Sequence, residues 1–95
     1  MSQLKLSVLD QSPVHDGQPE SSGLFSTIEL AKKCDELGYH RYWLAEHHDT
    51  PGYASPCPEI MVSNVANATK RIRVGSGGVM LPHYSAFKVA ETFKM

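Results

Sequence analysis

The spacing of apolar residues changes period along the chain, and each change marks an element. Leu4, Leu6 and Val8 alternate with polar neighbours through Leu4–Leu9, the two-residue period of a strand. Tyr42–Ala45 is a short, continuous apolar run, which predicts a second strand buried on both faces as in parallel sheets. Ile72–Leu81 is rich in β-branched and apolar residues but interrupted by Gly75, Gly77 and Gly78, and predicts a third. Between the first two strands the period becomes helical. At about 100° per residue, Leu24, Ile28, Leu30, Ala31, Cys34 and Leu37 share one half of a cylinder, with Glu29, Lys32, Lys33 and Glu36 on the other. Asp35 is the misfit, close to the apolar stripe.

This spacing predicts a helix from about Leu24 to Leu37. Ser21 or Ser22 is placed to cap its start, Gly38 sits at the left-handed position after its end, and Glu29 and Lys33 are spaced as an i,i+4 ion pair. A second helix is expected from Pro58-Glu59 to about Thr69-Lys70, with Met61, Val65 and Ala68 on one face, since proline is tolerated in a first turn and glutamate suits the dipole. A third is expected after Ser85, with Ala86, Val89, Ala90 and Phe93 at helical spacing.

The order is β-α-β-α-β-α, with strands roughly 30 to 35 residues apart, the length of βα units in a parallel sheet. The fold class is therefore α/β, in one domain spanning residues 1–95. No sequence repeat accompanies the structural period. The polar stretch from Gln11 to Gly23 follows strand 1 and reads as a loop at the edge where α/β proteins carry their chemistry.

Composition narrows the function. Hydrophobic residues make up 41% and charged residues 20%, with a net charge of -1, as in ordinary globular proteins. The absence of a basic block argues against a nucleic-acid partner, and no apolar run reaches the roughly 20 residues that span a bilayer. The opening Met-Ser-Gln-Leu-Lys-Leu has no targeting character, so a cytoplasmic location is expected. Cys34 and Cys57, the only cysteines, lie too far apart for a CxxC-type zinc site, and in a reducing compartment both are expected as free thiols.

Candidate chemistry gathers in two places. Strand 2 runs straight into Glu46-His47-His48-Asp49, four titratable side chains at a strand end, able to move protons, polarise a substrate or hold a metal. Adjacent histidines on a strand face opposite ways, and no HxH or HExxH spacing is present, which argues against a metal. The bland alternative is that backbone groups satisfy Glu46 and one histidine while the other is exposed. The second place is Val74-Gly75-Ser76-Gly77-Gly78-Val79-Met80-Leu81-Pro82. Glycines inside a strand mark a bulge or a close approach by a ligand or another backbone, and the spacing is not GxGxxG. Either a bulge that seats the third helix or a flat ligand on bare backbone explains them. His83 and Tyr84 would lie on the same edge, but as a lone loop pair they carry little weight.

Taken together, these segments resemble the bacterial luciferase-like monooxygenase family. The matching strings are Leu9-Asp10-Gln11-Ser12-Pro13, Leu37-Gly38-Tyr39-His40-Arg41-Tyr42-Trp43-Leu44-Ala45-Glu46-His47-His48, and Arg71 through Pro82 around Val74-Gly75-Ser76-Gly77-Gly78-Val79. The resemblance implies a (β/α)8 TIM barrel, reduced FMN as cosubstrate, O2 as oxidant, a small organic substrate and a flavin reductase in the parent system. It leaves homo- and heterodimers both open. It implies that His47 manages protons around the oxygenated flavin, with Glu46 as its orienting partner. It places Ser76, Gly77 and Gly78 at the cofactor, with a non-prolyl cis peptide between the two glycines. It also admits the deazaflavin F420 in place of FMN.

A complete barrel needs about 250 residues. The resemblance therefore makes this chain the N-terminal three βα units of an incomplete barrel, with most phosphate contacts supplied by later strands. A non-catalytic remnant, or an association partner of a longer homologue, is the alternative from another class. Open parallel edges and a small core predict a polypeptide that is unstable or aggregated alone, inactive, and a poor binder of FMN.

Overall fold

The computed structural model describes residues 3–95; Met1 and Ser2, which open the sequence, lie outside the described residues. The elements follow the expected order: β1 (Ser7–Asp10), α1 (Glu20–Glu36), β2 (Arg41–Leu44), α2 (Pro58–Ala68), β3 (Arg73–Ser76), a 3-10 turn at Leu81–His83 and α3 (Ala86–Lys94). The strands form one parallel sheet in the order β1-β2-β3, with Asp10 beside Leu44 and Leu44 beside Ser76. That is the arrangement of the first three βα units of a (β/α)8 barrel. The C-terminal strand ends therefore finish level with one another, and the loops after them share one edge.

Helices α1 and α2 pack on one face of the sheet. The core between them holds Ala31 and Cys34 from α1, Tyr42 and Leu44 from β2, Met61 and Val65 from α2, and Ile72. Burial along β2 therefore alternates, with Tyr42 and Leu44 buried and Arg41 and Trp43 half-buried, rather than extending to both faces. The opposite face carries Leu9, 59% exposed, and Trp43, whose ring lies under the Arg41 guanidinium at 4.9 Å.

The outer strands are shorter than the sequence suggests. Leu4 and Leu6 precede β1 and are exposed, although the Leu6 carbonyl still accepts the His40 amide at 2.8 Å. β3 ends at Ser76, where the chain leaves the sheet. Helix α1 starts earlier than Leu24, with Pro19 as its N-cap and no side-chain cap bond. Ser21 and Ser22 fall inside its first turn, so neither caps it. Gly23 sits in this turn because a Cβ there would meet the Ser12 and Pro13 carbonyl oxygens at 2.9 Å. Gly38 does have the expected positive φ, +84°. Glu29 pairs with Lys32 at 2.8 Å, and Lys33 with Glu36 at 3.6 Å, in place of the Glu29–Lys33 pair. Exposed pairs at i,i+3 and i,i+4 differ by only tenths of a kcal/mol, so the choice between them is weakly determined.

Asp35, the misfit of the helical pattern, has a structural task. Its buried carboxylate accepts the backbone N–H groups of Lys70 (2.8 Å), Arg71 (3.0 Å) and Ile72 (2.8 Å), fastening the α2–β3 turn to α1. These donors, Lys70 foremost, hold its carboxyl below the usual range against the opposing effect of burial. At the other sheet edge the loops after β1 and β2 are tied together. Ala54 donates to the Ser12 carbonyl at 2.8 Å, Val14 to Gly52 at 2.9 Å, and Pro13 pairs with Tyr53 in an isolated antiparallel bridge. Cys34 and Cys57 are both free thiols, raised in pKa chiefly by burial.

Candidate functional site

The end of β1 is built around Asp10. Its Oδ1 accepts the Ser12 amide at 2.8 Å, and its Oδ2 accepts the hydroxyl of Tyr42. Ser12, with φ of +50°, also bonds Thr27 of α1 through its hydroxyl at 2.7 Å. Burial first, and then Asp10, push the Tyr42 phenol far above its ordinary range, so it stays a donor. The Asp10-Gln11-Ser12-Pro13 string is thus a brace that fixes the loop over the strand ends.

Beyond β2 the Glu46-His47-His48-Asp49 run turns its side chains in different directions. Glu46 is 4% exposed. Its Oε2 lies 2.6 Å from His48 Nε2 and accepts the Tyr84 hydroxyl at 2.7 Å, while its Oε1 accepts the Met80 amide at 3.3 Å. Burial works against its ionisation, but the bonds from His48, Tyr84 and Met80 outweigh it and hold the carboxyl below its usual range. The Tyr84 phenol is pushed up to about 12 by its bond to Glu46 and by burial. The His83 ring stands edge-on to His48 at 5.6 Å.

His47 belongs to a different group. Its ring stacks on Tyr53 with centroids 4.4 Å apart, and its amide donates to the Ser55 carbonyl at 3.1 Å. Its Nε2 is buried without a hydrogen-bond partner among the described residues. His47 and Tyr53 line a cavity of about 220 Å³ together with Glu20, Asp49, Thr50 and Pro56. Glu46, expected from sequence as the partner of His47, is bonded to His48 instead. Adjacent residues leaving a strand diverge, so the i,i+2 neighbour is the one that returns to the same side.

The glycines of the third segment also divide. A Cβ on Gly75 would meet the Trp43 ring at 3.0 Å, and one on Gly77 would meet Trp43 Cβ at 3.0 Å and Leu9 at 3.3 Å. The bareness of Gly75 and Gly77 thus accommodates the indole. A Cβ on Gly78 would meet nothing within 4 Å, so this is where the backbone is open. The Gly77–Gly78 peptide is cis, as the resemblance implied. Ser76 follows Val74 on the helix-packed face by the two-residue period, and its hydroxyl is buried without a partner among the described residues. Only its backbone is available on the Trp43 side.

Residues 4–95 match the model of the luciferase-like monooxygenases. The chain belongs to that family. It is 46% identical over 92 residues to the N-acetyl-S-alkylcysteine monooxygenase of Bacillus subtilis, covering 97% of this chain and 28% of that protein. The crystal structure of apo-MsnO8 superposes with a TM-score of 0.92 at 50% identity, over 95% of this chain and 27% of that one. The oxygenating constituent of 3,6-diketocamphane monooxygenase from Pseudomonas putida, solved in complex with FMN, shares the fold with a TM-score of 0.87 at 21% identity, over 95% of this chain and 25% of that one. The chain thus spans about 28% of the length of the curated relatives it matches. In this luciferase-like monooxygenase segment, sequence reasoning passed over Tyr84 as a loop residue. A tyrosine shortly after a strand end, on the same edge as a buried glutamate, was the signal available. No helix among the described residues is long and apolar enough to cross a membrane.

Proposed function

We propose that this segment forms part of the active site of an FMN-dependent monooxygenase that uses reduced FMN and O2 on a small organic substrate. The observation that carries the reading is the pairing of an open backbone at Gly78 with a buried, unpartnered His47 Nε2, on the loops that leave adjacent parallel strands. Bare backbone suits a flat ring, and an unpaired buried nitrogen calls for a polar partner that the described residues do not supply. The residues present therefore fit a flavin: Gly77, Gly78 and the Ser76 backbone would lie against it, with Trp43 and Leu9 supporting Gly77 from beneath. When bound, the flavin supplies the electrons and the site of oxygen activation. His47 holds or accepts a proton at Nε2. Tyr53 fixes the imidazole plane by stacking, and the Ser55 carbonyl fixes its backbone. Glu46, ionised and bonded to His48, Tyr84 and Met80, holds the surrounding loops rather than orienting His47.

FMN is the cofactor held by the 3,6-diketocamphane enzyme, and this supports FMN over F420. The reduced flavin would come from a separate flavin reductase. N-acetyl-S-alkylcysteines, named in the Bacillus subtilis relative, are the first substrates to try. The test is a parallel titration of the full-length protein with FMN and F420, followed by His47→Ala. The variant should bind FMN nearly as the parent does, yet lose most of the product formed per reduced flavin consumed. Equal product yield from variant and parent would rule out the role given to His47, and preference for F420 would replace the cofactor.

A further inference from the structure

We propose that Tyr84 is a positioning residue: acting through the Glu46 carboxylate, it pins both ends of the Met80–Tyr84 loop to the segment after β2 and thereby sets the Gly77–Gly78 surface. The inference rests on the flavin reading above only in assigning that surface its ligand.

The hydrogen bonds that hold this loop are few. The backbone amides of Leu81, His83 and Tyr84 donate locally, to the carbonyls of Val79, Met80 and Leu81. Among the described residues, three groups between Gly77 and Tyr84 bond outside the loop. Gly77 donates to the Leu44 carbonyl at 2.7 Å, Met80 donates to Glu46 Oε1, and the Tyr84 hydroxyl bonds Glu46 Oε2 and lies 3.3 Å from His48 Nε2. Two of the three therefore converge on one carboxylate, one from each end of the 3-10 turn. The loop closes like a buckle, and the stretch from Gly77 to Met80 is held between the Leu44 carbonyl and Glu46.

The strength of the buckle depends on Tyr84. Without its hydroxyl, Oε2 keeps only His48, whose side chain is 41% exposed. A desolvated carboxylate short of one donor is a costly neighbour, and charge-assisted bonds are the stronger class. The groups facing this carboxylate are His48 from its own segment, Tyr84 and the Met80 amide from the loop after β3, and Cys57 at the start of α2, with Glu59 acting on Tyr84 and Cys57. His83 flanks His48. Only the loop groups and His48 bond it. Removing the phenol leaves burial less well opposed, so the Glu46 carboxyl should rise and the loop should be held less firmly.

The experiment uses the full-length protein as parent, Tyr84→Phe and Glu46→Gln. Amide exchange without flavin should rise in the peptide covering residues 77–83 in both variants while β1 and α1 stay parental. FMN affinity of Tyr84→Phe should fall on the order of tenfold, as expected from losing one charge-assisted bond. Parental exchange across 77–83 in Tyr84→Phe overturns the proposal, as does faster exchange spread over the whole chain. Should Tyr84→Phe not fold, Glu46→Gln decides on the same peptide. A parent that binds no FMN defeats the flavin reading, and the exchange result still decides the buckle.

Discussion

Replacing Tyr42 by phenylalanine isolates the brace between β1 and β2. Tyr42 is 0% exposed and Asp10 6%. The substitution leaves the ring in the core and removes only the hydroxyl that Asp10 Oδ2 accepts. Asp10 Oδ1 keeps the Ser12 amide, but the second carboxylate oxygen is left buried without a donor among the described residues. A lost hydrogen bond to a buried charged group costs about 1.5–3 kcal/mol, roughly a ten- to hundredfold change in the folding equilibrium. The assay is urea unfolding of the full-length protein, comparing midpoints at constant slope. Pairing Tyr42→Phe with Asp10→Ala makes a double-mutant cycle. Once the carboxylate is gone, losing the hydroxyl should cost little, giving a coupling of about 1–3 kcal/mol. Equal costs in both backgrounds, or a Tyr42→Phe change within about 0.5 kcal/mol of the parent, would show that the bond does not brace the strands.

Three further outcomes are expected. Gly75→Ala should push the indole aside and cost about 1–3 kcal/mol as an overpacked site, whereas Gly78→Ala, facing open space, should leave stability near parental and weaken flavin binding. The first change is read from the urea midpoint of the full-length protein, and a parental midpoint in Gly75→Ala would refute it. The Asp35 carboxyl is depressed in the folded state, so its contribution is present above its unfolded pKa of about 3.9 and disappears as pH falls through the lower folded value. Asp35→Asn should therefore melt below the parent at pH 6 and approach it as pH falls through the folded value, and parallel melting curves would exclude this linkage. The 95-residue chain by itself, with Leu9 and Phe25 exposed, should aggregate or melt broadly; a sharp monomeric transition together with micromolar FMN binding would overturn that.

The candidate site was legible as a place more than as a circuit. Trp43 running into Glu46-His47-His48 announced a strand end, and the glycines announced bare backbone. The resemblance suggested that Glu46 orients His47, and the glycines fitted either a bulge or a flat ligand. Side-chain direction changed the first reading and divided the glycines. Glu46 turns to His48 and Tyr84, and Trp43 takes the space over Gly75 and Gly77, leaving Gly78 open. Asp35 and Tyr84 were visible only as a misfit and a loop residue, because their partners are backbone or carboxylate groups about 35 to 38 positions away.

The sequence alone determined the alternation of strands and helices, the parallel order they imply and the edge on which chemistry gathers. Those properties follow from local periodicity, turn residues and the length of βα units, all of which act over a few neighbours. Tertiary structure decided which polar atoms meet: Asp10 with Tyr42, Asp35 with the α2–β3 turn, Glu46 with the far end of the loop after β3. A hydrogen bond depends on directions set to within a few tenths of an ångström by packing of distant elements, and that information is absent from any one segment. The same packing left His47 Nε2 unpaired at the strand end, where the proposed flavin would meet it.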